Sequence, residues 1–363
     1  MPEKSAQGVP EARKGQDSVR LSREEFTRRF RLQFYDPAFD SLHSEIDRLA
    51  AVAWDGYENA RKSPRTVKAG PGFADASYEL SVEWLAAKEA VDAAARRQGD
   101  PNTPSRVLVI SCAARNDQTC PGEMPKSFRL VKLAQQVLES QSIQVDLLDL
   151  SQLNAEYGRR ILPCKACVST AMPLCHWPCS CYPNHSLGQS GDWMNELYPR
   201  FVAAHGILLI TPVYWYQSPA VLKLLMDRLV CADGGNPDPT STHGKDPKLA
   251  KQLELAGWSY PRHLEGRAFA VIVHGDAAGA GTLRRSLVDW LRDMRLVPAG
   301  EAAALDRYIG YYGTYARSHE ALDADTAFQE ETRNAARALA KAVQFVRERR
   351  SQPDDGLADP RPK

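Results

Sequence analysis

One segment of the chain predicts a strand, a loop and a helix in immediate succession. It covers residues 206–231 and opens with an uninterrupted apolar run, 206–211. Short runs that are apolar throughout are typical of strands buried on both faces, as in parallel sheets covered by helices. Ser218 and Pro219 then supply a capping hydroxyl and a proline for the first turn of a helix. The segment therefore predicts an α/β fold around a parallel sheet.

The loop between this strand and this helix is rich in aromatic residues. Pro212 ends the strand, and Val213, Tyr214, Trp215 and Tyr216 follow it. In open α/β sheets, ligands bind at the carboxyl ends of the strands. The loop is therefore a candidate ligand site, and the alternative is that its rings only fill core beneath a loop.

The order of these residues resembles a known family. The run T-P-V-Y-W-x-x-S-P, followed by L-K-x-x-x-D-R at residues 222–228, is similar to the NADPH-dependent FMN reductase family, and the likeness extends over about residues 106–316. The resemblance implies a flavodoxin-like fold, with a doubly wound parallel sheet of five strands in the order 2-1-3-4-5. It also implies that Pro212, Val213, Tyr214 and Trp215 lie beside the FMN ring.

A second loop has the features of a phosphate site. It joins a buried strand at 106–110 to a helix that begins at Ser127. Backbone N–H groups at the start of a helix point at a bound anion. By resemblance, Ser111 and Arg115 match the family's phosphate loop, and the alternative is an ordinary solvated loop. The candidate FMN-binding residues here are Ser111, Arg115, Asn116, Thr119, Lys126 and Ser127.

The remaining strands are expected at 143–150, 267–273 and 297–305. The sequence HGDAAGAG at 274–281 follows the fourth of the five strands, and glycines there let backbone approach a ligand closely. The resemblance places the family's third flavin-contacting loop at this position. Its candidate residues are Gly275, Asp276 and Gly279.

Five cysteines lie close together within residues 160–190. They are Cys164, Cys167, Cys175, Cys179 and Cys181. Thiolates are ligands for zinc and for iron–sulfur clusters. The segment is similar to that of iron–sulfur flavoproteins of this fold, which implies a [4Fe–4S] cluster. A zinc site, to which His176 and His185 could contribute, and a set of free thiols are the alternatives.

The rest of the chain surrounds the domain expected at 105–350. Residues 21–100 predict three amphipathic helices, the third at 77–97, and residues 232–265 are a long loop insertion. The ends, 1–20 and 351–363, are polar and aperiodic, which predicts disordered tails. The apolar stripes of the first helices need a partner, so we expect a homodimer or a homotetramer.

The balance of charge excludes general electrostatic binding to other macromolecules. The chain has 46 Lys and Arg against 45 Asp and Glu, a net charge of +1. We therefore expect no nucleic-acid or membrane partner. Residues 1–20 lack the apolar centre of a signal peptide, and we expect a cytoplasmic protein.

These observations together predict an FMN-dependent oxidoreductase. By resemblance, NADPH is the co-substrate that donates hydride, and electrons pass on to a small-molecule acceptor such as a quinone, a flavin or another small compound. The flavin supplies the chemistry, so no catalytic side chain is predicted. The alternatives are an electron-transfer protein without NADPH turnover and a flavin-free structural or regulatory protein.

Overall fold

The structure is a computed structural model that describes residues 8–61, 63–167, 171–182 and 191–348. Its strands are β1 (Thr66–Lys68), β2 (Glu79–Ser81), β3 (Arg106–Ser111), β4 (Gln144–Asp149), β5 (Gly206–Pro212), β6 (Ala268–Gly275), β7 (Val297–Pro298) and β8 (Ala304–Tyr308). Its α-helices are α1 (Arg23–Arg31), α2 (His43–Glu58), α3 (Val82–Gly99), α4 (Lys126–Ser140), α5 (Gln152–Ala155), α6 (Met194–Ala203), α7 (Ala220–Leu229), α8 (Pro247–Ala256), α9 (Ala280–Asp293), α10 (Ser318–Ala324) and α11 (Thr326–Arg347).

The main sheet is parallel and has the flavodoxin-like order. Strands run β4-β3-β5-β6, and β7 and β8 both pair with β6. Every residue of β5 and of β6 is buried, as expected for central parallel strands covered on both faces. The predicted α/β fold class and strand order are confirmed.

The fifth strand position differs from the prediction of one strand at 297–305. It contains two short strands, because the chain leaves the sheet between them. Pro298 cannot donate a backbone hydrogen bond, and Gly300 has a φ of 105°. A positive φ costs glycine little, so the chain turns here and rejoins the edge at Ala304.

Helices cover both faces of the sheet. One face packs against α4 and α11, and the other packs against α6, α7 and α9. Helix α3 lies on α6, so the third amino-terminal helix covers the sheet domain from outside this layer. Helix α7 begins at Ala220, one residue after Pro219, and Ser218 makes no capping bond to it.

The first two helices form a hairpin. Ser22 Oγ accepts a hydrogen bond from Glu25 N at 3.2 Å and caps α1. Phe26 then packs between the helices, with ring centroids 5.4 Å from Trp54 and 4.9 Å from Tyr57. The other side of α2 exposes the large apolar side chains Leu49 and Val52, and Leu42 just before the helix is exposed as well.

The helix predicted at 77–97 starts later than expected. Residues 79–81 are β2, which pairs antiparallel with β1. Ser81 Oγ accepts from Trp84 N at 3.3 Å, so the cap lies at Ser81. Ser77 lies in a turn before the helix. Both its backbone N–H and its hydroxyl donate to the Asp75 carboxylate there.

The insertion at 232–265 was predicted as a loop, but it contains α8. Asp246 caps this helix, and its carboxylate accepts from Lys248 N and Leu249 N at 2.8 and 3.1 Å. The insertion also binds the amino-terminal region, since the side chains of Asp238 and Thr240 accept from Ala74 N and Asp75 N. It is thus a packed element of the fold.

The predicted tails fall largely outside the described residues, namely 1–7 and 349–363. Residues 8–20 form neither helix nor strand. Among the helices that the structure describes, none combines the length and the apolar character needed to cross a bilayer.

Candidate functional site

A cavity of about 240 Å³ lies at the carboxyl ends of β3, β5 and β6. It brings together the three loops that the sequence singled out. Its lining residues are Ala113, Arg115, Pro125, Lys126, Ser127, Pro212, Val213, Tyr214, His274, Gly275, Asp276, Tyr315 and Ser318. Convergent loops at this edge are the usual ligand site of an open α/β sheet.

One wall of this cavity is suited to an anion. Helix α4 begins there at Lys126, and Arg115 Nη1 donates to Glu123 O at 2.7 Å. Burial lowers the pKa of Lys126, and the Asp276 carboxylate opposes that shift. Among the described residues, neither Arg115 nor Lys126 forms an ion pair. Two cations and the amino end of a helix therefore face the same space without a carboxylate bound to either cation.

The aromatic loop is a tight turn. Tyr214 N donates to Gln217 O, and Gln217 N donates to Tyr214 O, both at 2.9 Å. The two central residues have positive φ, 46° at Trp215 and 64° at Tyr216. This is the pattern of a type I′ turn, in which glycine or asparagine is usual and bulky residues are strained. Trp215 is 94% exposed at its tip.

The glycine-rich loop makes room for that turn. A Cβ at Gly275 would lie 2.5 Å from Val213 Cγ1, and one at Gly279 would lie 2.8 Å from Tyr216 Cα. The sequence suggested that these glycines admit a ligand. In the structure the segment that approaches them closely is the aromatic turn.

Tyrosines from beyond β8 complete the rim. The rings of Tyr308 and Tyr311 are 4.9 Å apart, and those of Tyr311 and Tyr312 are 4.3 Å apart. Tyr312 N donates to Asp276 O at 2.7 Å, and the Tyr315 hydroxyl donates to the Glu123 carboxylate. This cluster connects the glycine-rich loop to the phosphate-type loop.

Several predicted FMN-binding residues lie outside the cavity lining. Asn116 and Thr119 hold their own loop together, because Asn116 N donates to Thr119 Oγ1 at 3.0 Å. Asn116 Nδ2 also donates to Ser151 Oγ at 2.8 Å. Ser111 Oγ is buried and has no partner among the described residues. Trp215 is a central residue of the aromatic turn, and Gly279 lies in the loop that packs against that turn.

His274 is a lining residue that the sequence analysis did not single out. Its Nε2 lies 2.8 Å from Ser127 Oγ, which joins β6 to the start of α4. Burial, with a smaller effect of the Lys126 charge, lowers the pKa of His274 to about 3. The ring is therefore neutral at physiological pH. The sequence feature that could have identified His274 is its position directly before the candidate residue Gly275.

The predicted metal-ligating cysteines converge on a second cavity. It encloses about 20 Å³, room for about one water molecule. Cys164, Cys167, Cys175, Cys179 and Cys181 all line it, and they are joined by Cys231, which was not predicted. All six are free thiols. Within the described ranges, no three Cys, His, Asp or Glu side chains stand in an arrangement that holds a metal ion.

Two of these sulfurs are close to each other, and the cavity wall contains a buried arginine. Cys167 Sγ lies 3.8 Å from Cys181 Sγ. The wall contains Arg228, which is 2% exposed and is paired with the buried Asp192. His176 also lines the cavity, with Nε2 3.0 Å from Thr242 Oγ1, whereas His185 lies outside the described residues.

Comparison with known proteins gives one curated relative. The chain is 28% identical over 125 residues to the iron-sulfur flavoprotein of Methanosarcina thermophila. The match covers 34% of this chain and 52% of that protein, so the chain spans about half the length of the relative.

Solved structures with a similar arrangement include RosB bound to 8-demethyl-8-formylriboflavin-5′-phosphate. It is 13% identical, with a TM-score of 0.45, over 67% of this chain and 81% of that one. The FMN-dependent NADH-azoreductase of Bacillus anthracis in complex with FMN is 16% identical, with a TM-score of 0.35, over 65% of this chain and 100% of that one.

The family comparison covers the sheet domain. The model of the NADPH-dependent FMN reductase family matches residues 105–309, which is more than half of the chain and includes all three loops of the cavity. The chain therefore belongs to the NADPH-dependent FMN reductase family.

Proposed function

We propose that the protein binds FMN in the cavity at the carboxyl edge of the sheet and acts as an NADPH-dependent oxidoreductase. One observation supports this most strongly. An anion site without ion-pair partners and an exposed aromatic turn lie on the same cavity, as a ligand with a phosphate and a planar ring requires. Membership of the FMN reductase family supports the identity of that ligand.

The proposed roles of the side chains follow from their chemistry. Arg115, Lys126 and the first N–H groups of α4 bind the phosphate. Ser127 and His274 fix the start of that helix against β6 through their hydrogen bond. Val213 and Tyr214 offer apolar surface to the ring, and the cavity is continuous with the exposed turn.

Bound FMN supplies hydride acceptance from a nicotinamide and onward transfer of electrons to an acceptor. The chain's own part is to hold the ring, to exclude water from one side and to leave an approach open at the turn. Trp215, exposed at the tip, is placed to contact a second aromatic molecule. We propose a small planar acceptor such as a quinone or a free flavin for that reason.

An electron-transfer protein that holds FMN without NADPH turnover is the second candidate. The cysteine cavity favours it, since a cluster there would provide a redox centre beside the flavin domain. The donor set fits such a centre, because six thiols exceed the four that a cluster takes. The cavity is small, so a cluster would require the thiols to rotate outward. Zinc and free thiols remain the alternatives for this site.

Anaerobic titration of the FMN-loaded protein with NADPH tests the proposal. We expect stoichiometric loss of the visible absorbance of oxidised flavin, and its return when a quinone is added. Bound flavin that NADPH leaves oxidised over minutes, while dithionite reduces it, would favour the electron-transfer protein. A folded protein that binds no FMN would contradict both.

We also propose that the protein is a homodimer or a homotetramer in which α2 takes part. Leu49 and Val52 are 55% and 67% exposed on one side of this helix, opposite its contact with α1. Light scattering on the full-length protein should show more than one copy, and Leu49→Glu with Val52→Glu should shift the mass toward a monomer. The matched double substitution Asp47→Asn with Asp55→Asn should leave the mass unchanged.

A further inference from the structure

We infer that Cys231 is a ligand of a thiophilic metal centre in the cysteine cavity, together with thiols of the segment 164–181. The inference rests on the proposed metal site and extends it to a residue 50 positions beyond Cys181, outside the cysteine segment. The centre is either an iron–sulfur cluster or zinc, both of which take thiolate ligands in a closed site.

Cys231 lies among the other thiols. It belongs to the short helix Val230–Ala232 that follows α7, and it is 2% exposed. Cys231 lines the same small cavity as Cys175 and Cys179. It is therefore a neighbour of two cysteines of the segment.

The backbone ties these positions together. Asn236 N donates to Cys175 O at 2.6 Å, and Trp177 N donates to Asn236 O at 2.9 Å. The turn between Cys231 and Asn236 is tight, because Gly235 N donates to Cys231 O at 2.8 Å. A Cβ at Gly235 would lie only 2.2 Å from that oxygen. Glycine at this position therefore allows the close approach of Cys231 to the segment.

The charge of the wall suits bound thiolates. Arg228 Nη1 donates to Leu162 O at 2.9 Å, and its Nε has no acceptor among the described residues. The guanidinium lies 5.2 Å from the centre of the Tyr182 ring, and Lys165 Nζ lies 4.7 Å from the same ring. A cation beside a group of thiols favours their deprotonated, metal-binding form. Asp192 balances the charge of Arg228, so Lys165 adds to this effect.

A four-iron cluster usually takes four cysteines, so within the segment alone Cys164 and Cys167 would need two of the three later cysteines. Ala166 has a φ of 56°, and its N–H donates to Cys164 Sγ at 3.3 Å, so a turned backbone orients this pair. With Cys231 included, only one place remains for Cys175, Cys179 or Cys181. Each thiol that binds the metal releases its proton to solvent.

The test uses full-length protein made and held without oxygen. Iron, zinc and acid-labile sulfide are measured per chain in the parent, in Cys231→Ser and in Cys112→Ser. Cys112 is the matched control, because it is also a fully buried free thiol of the sheet domain but does not line the cavity. We expect a stoichiometric centre in the parent and in Cys112→Ser, and at least a tenfold loss in Cys231→Ser. Iron with sulfide identifies a cluster, and zinc without sulfide identifies a zinc site.

A second measurement keeps the inference testable if Cys231→Ser does not fold. In the parent, alkylation of each cysteine is followed by mass spectrometry in mild denaturant, before and after chelation. Metal should slow labelling of Cys231 at least tenfold and leave labelling of Cys112 unchanged. Equal labelling of Cys231 in both states would overturn the inference, as would full metal content in Cys231→Ser.

Flavin content separates this inference from the proposed function. A parent that binds FMN but no metal after incubation with iron and sulfide, or with zinc, would overturn the metal site and leave the flavin proposal standing. A parent that holds metal but cannot bind FMN would overturn the flavin proposal and leave the metal site standing.

Discussion

At the scale of single residues, the most unusual feature is the backbone of Trp215 and Tyr216. Both have positive φ in a turn where glycine or asparagine would fit without strain. A left-handed conformation costs an ordinary residue about 1–2 kcal/mol. Trp215 does not recover this cost by packing, since it is 94% exposed. Strain of this kind is commonly retained at binding sites, which agrees with the proposed role of the turn.

Replacing Trp215 by glycine should separate stability from binding. We expect Trp215→Gly to be as stable as the parent or more stable, by up to about 1 kcal/mol, because relief of strain exceeds the added freedom of the unfolded chain. The affinity for the proposed planar acceptor should fall, since the exposed ring is lost. Urea denaturation and the KM for a quinone measure the two effects.

Tyr157 provides the control for that substitution. It is 98% exposed but does not have a positive φ. Tyr157→Gly should therefore gain no stability and should leave the affinity for the acceptor unchanged. A Trp215→Gly protein that is less stable by more than 1 kcal/mol would show that the ring packs in solution, contrary to the account.

The structure brings together the candidate residues that follow the ends of strands. Arg115, Tyr214 and Gly275 each lie just after an apolar run, and all three line one cavity. The places of Cys231 and Arg228 in the cysteine cavity were not predicted, because they depend on how helix α7 packs against the cysteine segment. No local pattern encodes that packing. Tyr315 reaches the proposed flavin cavity from beyond the last strand.

At the scale of elements, the aromatic turn and the loop after β6 are one unit. Gly275 and Gly279 provide the space in which Val213 and Tyr216 lie. Long apolar runs predicted β3, β5 and β6 to within a few residues, since burial on both faces leaves a clear pattern. Two predictions were wrong. The start of α3 is set by the capping hydroxyl of Ser81, and the last strand position is divided by the turn at Gly300.

Gly279→Ala should disturb the site through this contact. Gly279 has a φ of 108°, and a Cβ there would lie 2.8 Å from Tyr216 Cα. We expect a loss of stability of about 1–3 kcal/mol and weaker FMN binding, because either the turn or the loop must move. Thermal unfolding and FMN titration provide the measurements.

Gly257→Ala is the matched control, since Gly257 has a φ of 84° and nothing within 4 Å of the added Cβ. It should show the backbone strain alone and keep full FMN affinity. If Gly279→Ala binds FMN as tightly as Gly257→Ala, the loop does not support the turn as described.

At the scale of the whole molecule, the parts outside the family domain are joined to the cysteine segment. Trp84 Nε1 of α3 donates to Pro178 O at 2.9 Å, and the insertion at 232–265 binds the chain at Ala74 and Asp75. The amino-terminal region and the insertion thus enclose the side of the molecule that contains the thiols. Sequence reasoning treated them as separate additions, because contacts between distant segments leave no local pattern.

Buried histidines make the whole fold sensitive to acid. Burial is the main cause that lowers the pKa of His205 and of His263 to about 4 and the pKa of His274 to about 3. An unfolded histidine has a pKa of about 6.5, so below that pH the unfolded chain binds protons that the native state does not. Stability should therefore fall as the pH is lowered from about 6.5 toward 4, and these groups should contribute no change above about 7.

His205 tests this most cleanly because it is remote from both cavities. Its Nδ1 accepts from Arg106 N, and its Nε2 lies 3.0 Å from Gln98 O. In urea denaturation at pH 7, 5.5 and 4.5, His205→Gln should lose less stability on acidification than the parent. Parallel stability curves for His205→Gln and the parent would contradict this explanation.

The affinity of the apo-protein for FMN compared with riboflavin tests the central claim most directly. The two ligands differ only in the phosphate that Arg115, Lys126 and the start of α4 are proposed to bind. Charged hydrogen bonds contribute about 1.5–3 kcal/mol, so FMN should bind about ten- to a hundredfold more tightly. Arg115→Ala should remove most of this difference, while Arg285→Ala, an exposed arginine of α9 outside the cavity, should preserve it. Equal affinities for FMN and riboflavin in the parent protein would contradict the proposed site.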